Sequence, residues 1–132
     1  MAGAAQAVAR ALLQLVNVAR REHHLQPLRP DPRLQRAARV RVHETTRLFD
    51  HARPGGTLGE LLRTVGIPGT AYGENLALIG GHNSERAVQE AHRGLLNSPG
   101  HRANILRPEY RRAGIAARQH GTAWYFVQLF TG

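Results

Sequence analysis

The segment Trp124–Phe130, near the end of the chain, constrains the fold more than any other stretch. It reads Trp-Tyr-Phe-Val-Gln-Leu-Phe, with apolar side chains at both odd and even positions. Because successive side chains of a strand point to opposite faces, a strand of this kind must be buried on both sides. We therefore predict that it is the central strand of a sheet lying between two layers of helices.

The rest of the chain supplies helices for those layers, since apolar residues recur there at helical spacing. A second helix is expected to open at Asp31-Pro32, with Asp as N-cap and Pro at the first position, and its buried stripe is expected to reach Phe49. Ser84 is the expected N-cap of the last helix. The four predicted helices are 4–22, 31–49, 57–65 and 84–96.

Two further strands are expected beside the last one. The three predicted strands are Tyr72–Ile79, Arg112–Arg118 and Thr122–Phe130, the last two joined as a hairpin around His120-Gly121. Residues 25–30 are predicted to be a connector, and Pro68-Gly69 to break the chain. The fold class is thus α+β, a three-layer α-β-α sandwich with a small antiparallel sheet between helices, in a single domain over residues 1–132.

Three ionisable residues lie in segments made rigid by Gly or Pro. His51 precedes Pro54-Gly55-Gly56, Glu74 follows Gly73, and His101 follows Ser98-Pro99-Gly100. The Ser98-Pro99-Gly100 segment is expected to end the fourth helix and to leave residues 102–110 irregular. Two imidazoles and one carboxylate suit a divalent ion with an open position for water. Spacing alone does not bring the three together, since they are far apart in sequence.

Composition removes several classes of site. The chain has no cysteine, so thiolate nucleophiles and thiolate metal sites are excluded, and a metal would need His and carboxylate ligands. No Gly-x-Ser-x-Gly elbow or phosphate-binding glycine loop is present. No apolar run approaches the roughly 20 residues of a membrane-spanning helix. Residues 1–5 lack the basic region of an export signal, so we expect either an intracellular chain or a mature exported domain.

The net charge is +9, and all 18 basic residues other than His are Arg. These Arg residues are spread along the chain rather than gathered in a block, which favours a solvated basic surface over specific recognition of nucleic acid. An anionic polymer or lipid as the partner is the alternative interpretation.

Several segments together resemble the CAP superfamily of cysteine-rich secretory, antigen 5 and pathogenesis-related 1 proteins, in its short cysteine-free bacterial form. Gly73-Glu74-Asn75 is similar to the family's Gly-Glu-Asn signature, and residues 98–105 are similar to Ser-Pro-Gly-His-Arg-x-Asn-Ile. Residues 15–20, 27–34 and 125–130 resemble the opening helix, the segment after it and the final strand. The resemblance covers nearly the whole chain.

The resemblance implies an α-β-α sandwich with a cleft lined by His51, Glu74 and His101, together with Ser98 and Asn75. It implies that His51 and His101 bind a divalent transition metal such as zinc, with Glu74 as the candidate general base if any catalysis occurs. Many family members carry a second Glu where Ser98 stands here, and its loss weakens the idea of a protease. Family members are mostly exported, which implies an extracellular protein.

Three functions follow from these observations. The first is a secreted binding or signalling module with a metal-capable cleft, acting as a monomer on a small molecule, lipid or cell-surface partner and not on specific nucleic acid. The second is a metal-dependent hydrolase that uses the same cleft. The third is a basic module that binds an anionic polymer or lipid.

Overall fold

The computed structural model of the protein describes residues 2–67 and 71–132; the predicted break at Pro68-Gly69 lies outside them. Five helices and four strands run along these residues. The helices are α1 (Ala2–Glu22), α2 (Pro32–Thr45), α3 (Leu58–Thr64), α4 (Ser84–Leu96) and α5 (Pro99–Ile105). The strands are β1 (Arg29–Pro30), β2 (Tyr72–Gly80), β3 (Arg112–His120) and β4 (Ala123–Thr131).

The sheet has the order β1-β3-β4-β2, which places β4 between two antiparallel neighbours. Phe126, Val127, Gln128 and Phe130 of β4 have no solvent exposure. The predicted central strand is therefore confirmed, and so is the hairpin, whose turn contains Gly121 at φ 61°. The short β1 pairs in parallel with β3, so the sheet is mixed and the predicted connector includes a strand.

Helices cover both faces of the sheet, as the three-layer prediction requires. On one face, α2 and α3 bury Leu34, Ala38 and Leu61 against Val127 and Leu129 of β4. On the other face, α1 and α4 bury apolar residues against the opposite side of β3 and β4, and α5 packs with them. The alternation of side chains along β4 thus feeds two separate cores.

The predicted ends of two helices need correction. Helix α2 begins as expected, with the Asp31 side chain accepting from the main-chain N–H of Arg33 and Leu34, but it ends at Thr45, so Phe49 lies beyond it and is 44% exposed. Helix α4 is capped by Asn83 rather than Ser84, because the Asn83 side chain accepts from the Arg86 N–H at 3.0 Å.

The segment after α4 is also more regular than the sequence suggests. Helix α4 ends at Leu96, and α5 begins at Pro99 with Ser98 at its N-cap position, so residues 99–105 form a helix. Proline suits the first helical position, where its missing N–H leaves no hydrogen bond unmade. Ser98-Pro99-Gly100 therefore separates α4 from α5 and also begins α5. His101 is the third residue of α5 and does not merely follow a bend.

Arg20, near the end of α1, ties three segments together and was not anticipated. It is fully buried, and its guanidinium donates to the main-chain oxygens of Gln26, Ile105, Arg107 and Tyr110 at 2.7–3.0 Å. A buried charge of this kind is costly unless its donors are satisfied, as they are here. Arg20 therefore fixes the end of α5 against α1. None of the helices among the described residues is long and apolar enough to cross a membrane.

Candidate functional site

The site is built around Glu74, the third residue of the edge strand β2. Its side chain points to the face covered by α2, where it meets Arg41. Arg41 Nε donates to Glu74 Oε2 at 2.6 Å and Arg41 Nη2 donates to Oε1 at 3.0 Å. The Arg41 side chain is fully buried and that of Glu74 is 4% exposed. Two parallel bonds of this kind fix the plane of the carboxylate.

Arg41 also fixes the loop that carries His51. Its Nη2 donates to the main-chain oxygen of Asp50 at 2.9 Å, and its Nη1 donates to Glu44 Oε1 at 2.7 Å. Glu44 in turn accepts two bonds from Arg53, on the far side of His51. Burial acts to raise the pKa of Glu44. The hydrogen bonds from Arg53 and Arg41 outweigh burial and hold this pKa below its usual value. Both sides of His51 are thus anchored to α2.

His51 itself contacts Glu74 directly. Its Nδ1 lies 2.9 Å from Glu74 Oε1, which places the proton of the neutral ring on Nδ1 and leaves Nε2 without it. The side chain is 61% exposed, so the rest of the ring faces solvent. Glu74 Oε1 therefore accepts from both Arg41 and His51.

His101 lies on α5, beside β2. Its Nδ1 lies 2.9 Å from Ser98 Oγ, and Ser98 makes no side-chain bond to the main chain of α5. Burial first, and the electrostatic effect of the neighbouring His51 second, lower the pKa of His101. The neutral form of the His101 ring is therefore favoured, and the two imidazoles lie close enough to affect each other.

Asn75 supports His101 from beneath. It is fully buried, and its Nδ2 donates to the main-chain oxygen of His101 at 3.1 Å and to Gln128 Oε1 at 3.0 Å. Its Oδ1 accepts from Asn104 Nδ2 at 2.9 Å. Neighbouring residues of β2 thus serve the two halves of the site, with Glu74 holding His51 and Asn75 holding the backbone of His101.

A groove of about 280 Å³ runs along β2 beside His101 and Ser98. Phe49, Leu76 and Leu78 contribute apolar surface to it, and Phe49 and Leu78 are more than two-fifths exposed. Phe49 is held there by an edge-to-face contact with Tyr125, at 6.2 Å between ring centroids. The groove therefore joins an apolar wall to the imidazole of His101.

The structure brings the predicted site residues together in two hydrogen-bonded pairs. His51 and Glu74 are in contact, and His101 and Ser98 form a second pair nearby. Within residues 2–67 and 71–132, no three His, Asp or Glu side chains are grouped so that they hold a metal together. The donors available to an ion are the two Nε2 atoms, because both Nδ1 atoms are already hydrogen-bonded and the Glu74 oxygens bind Arg41 and His51.

Arg41 and Glu44 are the two site residues that sequence reasoning missed. The available signal was the position of Arg41, four residues after Ala37 and four before Thr45, on the buried stripe of α2. A charged residue on such a stripe needs a buried partner of opposite charge. Glu74, a carboxylate in an apolar strand, was the matching half of that pair.

The three-layer sandwich and the match to a family model together define the class of protein. The chain belongs to the CAP family, the cysteine-rich secretory protein family, whose profile matches residues 13–130. YkwD, an uncharacterized protein of Bacillus subtilis, is 30% identical over 124 residues, which are 92% of this chain and 46% of YkwD. The chain therefore spans about half the length of this relative.

The fold is shared with solved structures, among them two from bacteria. An extracellular protein of Bacillus anthracis that contains an SCP domain superposes with a TM-score of 0.78 at 25% identity, covering 96% of this chain and 41% of that one. An outer surface protein of Borrelia burgdorferi gives a TM-score of 0.79 at 21% identity, covering 93% and 90%. The predicted superfamily and fold are both confirmed.

Proposed function

We propose that this domain is a non-catalytic binding module whose cleft takes one divalent transition ion on the Nε2 atoms of His51 and His101. The observation that carries the proposal is the hydrogen bonding of the opposite ring nitrogens, Nδ1 of His51 to Glu74 and Nδ1 of His101 to Ser98. Ligating histidines almost always bond their second nitrogen in this way, because the bond orients the ring and selects the tautomer.

The donor set fits a borderline ion such as zinc. Two neutral imidazoles leave at least two positions of a tetrahedral shell to water or to a ligand group, so the affinity should be moderate and the ion exchangeable. The ion would supply a Lewis-acidic anchor for an oxygen or nitrogen atom of a ligand. Glu74 lies behind His51 and serves as its orienting acceptor.

The hydrolase alternative is less well supported by the same geometry. A general base needs a free lone pair within hydrogen-bond reach of the water it activates. Both Glu74 oxygens accept from Arg41, and one of them also accepts from His51. A carboxylate bound in this way is poorly placed to take a proton, and Ser98 supplies no second carboxylate.

The groove beside His101 indicates what kind of ligand the ion would hold. Phe49 and Leu78 offer exposed apolar surface within it. A small molecule or cell-surface group with an apolar body and one metal-binding head would cover this surface and reach the ion. The names of the relatives, extracellular in Bacillus anthracis and outer-surface in Borrelia burgdorferi, support a site of action outside the cell.

Zinc titration calorimetry tests the proposal. We expect one saturable site in the wild type near neutral pH, and loss of that site in His51→Ala and in His101→Ala with the fold intact. Glu74→Gln should weaken binding less than either, by about 10- to 100-fold, since it acts through His51. His43→Ala is the control, because His43 is exposed on α2 away from the cleft. Binding by the His51 and His101 variants at wild-type strength would contradict the proposal.

A further inference from the structure

The outer edge of β3 lies in a groove between α1 and α2. This is the opposite edge of the sheet from β2, which carries the histidine site. Two adjoining cavities of about 530 and 220 Å³ run along it, and both are lined by Gln6, Ala9, Gln35 and Arg39. The strand beyond β3 is β1, which is only two residues long and pairs no further than Ala113. Most of this edge of β3 therefore has no neighbouring strand.

Gln35 completes one position of the edge. Its Oε1 accepts from the main-chain N–H of Ile115 at 2.9 Å, and its Nε2 donates to the main-chain oxygen of Ile115. The side-chain amide thus occupies the place that a residue of a further strand would take. The Asp31 N–H likewise donates to the Ala113 oxygen at 3.1 Å. Ala113 and Ile115 are thus outward-facing residues of β3 whose main-chain groups are already bonded.

The same alternation turns the main-chain groups of Ala117 and Gln119 outward, because every second residue of a strand faces the same neighbour. Among the described residues, neither a strand nor a side chain pairs with these groups. Both residues line the larger cavity, opposite the small side chains of Ala4, Ala5 and Ala9 in α1. The groove therefore presents unpaired strand donors and acceptors with space beside them.

The charge of the groove is positive. Arg10, Arg39 and Arg118 line the two cavities, and no Asp or Glu does so. Within the described part of the chain, none of these three residues forms an ion pair. A partner bound here would therefore be favoured by negative charge.

We propose that this groove binds an extended acidic peptide segment of a partner protein, which adds a strand to β3. Main-chain hydrogen bonds to Ala117 and Gln119 would hold the segment, and Arg39 and Arg118 would contact its carboxylates. A second copy of this chain is disfavoured, because the same Arg residues would meet across the interface. Nucleic acid is disfavoured because the edge offers alternating peptide donors and acceptors, which match another strand.

Fluorescence anisotropy with a labelled octapeptide that alternates Glu and Val tests the proposal. We expect saturable binding that weakens as salt is raised, and no saturable binding of a matched peptide that alternates Lys and Val. Two further versions of the Glu-Val peptide are N-methylated at every second amide, one at the odd and one at the even positions. A methylated amide cannot donate to the strand, so we expect at least one of these two peptides to bind about tenfold more weakly. Equal binding of the peptide and both N-methylated versions would overturn strand addition.

Substitutions locate the binding in the groove. Gln119→Pro removes the outward main-chain N–H of an exposed residue and leaves the hydrogen bonds between β3 and β4 intact. Ala117→Pro removes the outward N–H of a buried residue in the same way. We expect about tenfold weaker peptide binding for each folded variant and about fivefold weaker binding for Arg39→Glu. Arg36→Glu, on an exposed part of α2 outside the groove, should change binding less than twofold.

Two other outcomes would overturn the proposal. One is a dimer in sedimentation that Gln119→Pro dissociates, which would assign the groove to a second copy of this chain. The other is an oligothymidylate that competes with the peptide at equal affinity, which would indicate simple attraction of polyanions. Wild-type affinity in both Gln119→Pro and Arg39→Glu would show that the peptide binds elsewhere.

Discussion

Arg41 and Glu74 form a two-point ion pair that joins α2 to the edge strand β2, with bonds of 2.6 and 3.0 Å. Neither side chain is more than 4% exposed. The same guanidinium holds the Asp50 carbonyl, and the same carboxylate holds His51. The position of His51 is therefore set by a buried pair and not by the loop alone.

The first prediction concerns this pair. Arg41→Met should destabilise the fold by about 3–5 kcal/mol, because it leaves the Glu74 carboxylate buried without its cation. Glu74→Leu should be costly for the converse reason. The double variant Arg41→Met/Glu74→Leu should cost clearly less than the sum of the two, since it leaves neither charge unpaired.

Urea unfolding of the wild type, the two single variants and the double variant measures the coupling. Additive losses in free energy of unfolding would contradict a direct ion pair. A double variant that folds should also bind zinc more weakly than the wild type, because the acceptor for His51 Nδ1 is gone.

The second prediction concerns Gly73, which precedes Glu74. A Cβ at this position would lie 2.6 Å from Tyr110 Oη and 2.9 Å from Asn104 Oδ1. Asn104 bonds Asn75, which holds the His101 carbonyl, so Gly73→Ala should displace this network and cost about 1–3 kcal/mol.

Gly94→Ala is the matched control for Gly73. Gly94 lies within α4, and a Cβ there would meet nothing within 4 Å. Alanine should raise helix stability by about 0.5–1 kcal/mol at such a position. Thermal unfolding of the two variants should therefore move in opposite directions, and a Gly73→Ala variant as stable as the wild type would refute the packing argument.

The sequence predicted the central strand, the hairpin and the three layers because these depend on apolar runs, a glycine turn and apolar residues at helical spacing. Trp124–Phe130 is apolar at every position but one and needs burial on both sides, whichever helices provide it. The short β1 was missed because two residues carry no periodicity. Helix α5 was missed because Ser-Pro-Gly serves equally to end one helix and to begin another.

The site was predicted less completely than the fold. His51, Glu74 and His101 stand out through the turns around them, but a turn does not show what its ionisable group bonds. The roles of Arg41 and Arg20 depend on partners 33 and 85–90 residues away in sequence. Only the fold brings such partners together, and so the orientation of His51 could not be derived from local sequence.

The third prediction concerns Ser98, which stands at the N-cap of α5 but bonds His101 and not the main chain. Ser98→Ala should lower zinc affinity by about tenfold, since it frees the His101 ring to rotate. The cost in stability should be small, because no cap hydrogen bond is lost. Calorimetry and urea unfolding on one sample separate the two effects, and unchanged zinc affinity would remove Ser98 from the site.

The fourth prediction is a loss of stability in acid caused by His92, on α4. Its Nδ1 is buried and has no hydrogen-bond partner within residues 2–67 and 71–132. Burial lowers the pKa of His92, and the charge of Glu22 opposes this without reversing it. The folded protein therefore takes up a proton at lower pH than the unfolded chain, whose His has a pKa of about 6.5.

Because the pKa of His92 is lower in the folded protein than in the unfolded chain, acid destabilises the fold. Between the two pKa values the unfolded chain binds more protons, so the free energy of unfolding falls as the pH drops. The contribution of His92 should be fully present above about pH 6.5 and lost as the pH falls through the folded value. Urea unfolding of the wild type at pH 5, 6, 7 and 8 should show this decline.

His92→Leu removes the titrating group and should flatten the decline over that range. His101→Ala is the comparison, because His101 also has a lowered pKa but its Nδ1 lies 2.9 Å from Ser98 Oγ. Each variant should remove its own share of the slope, and the two together should remove more than either alone. If His92→Leu declines as steeply with falling pH as the wild type, the acid sensitivity arises elsewhere and the buried Nδ1 of His92 plays no part in it.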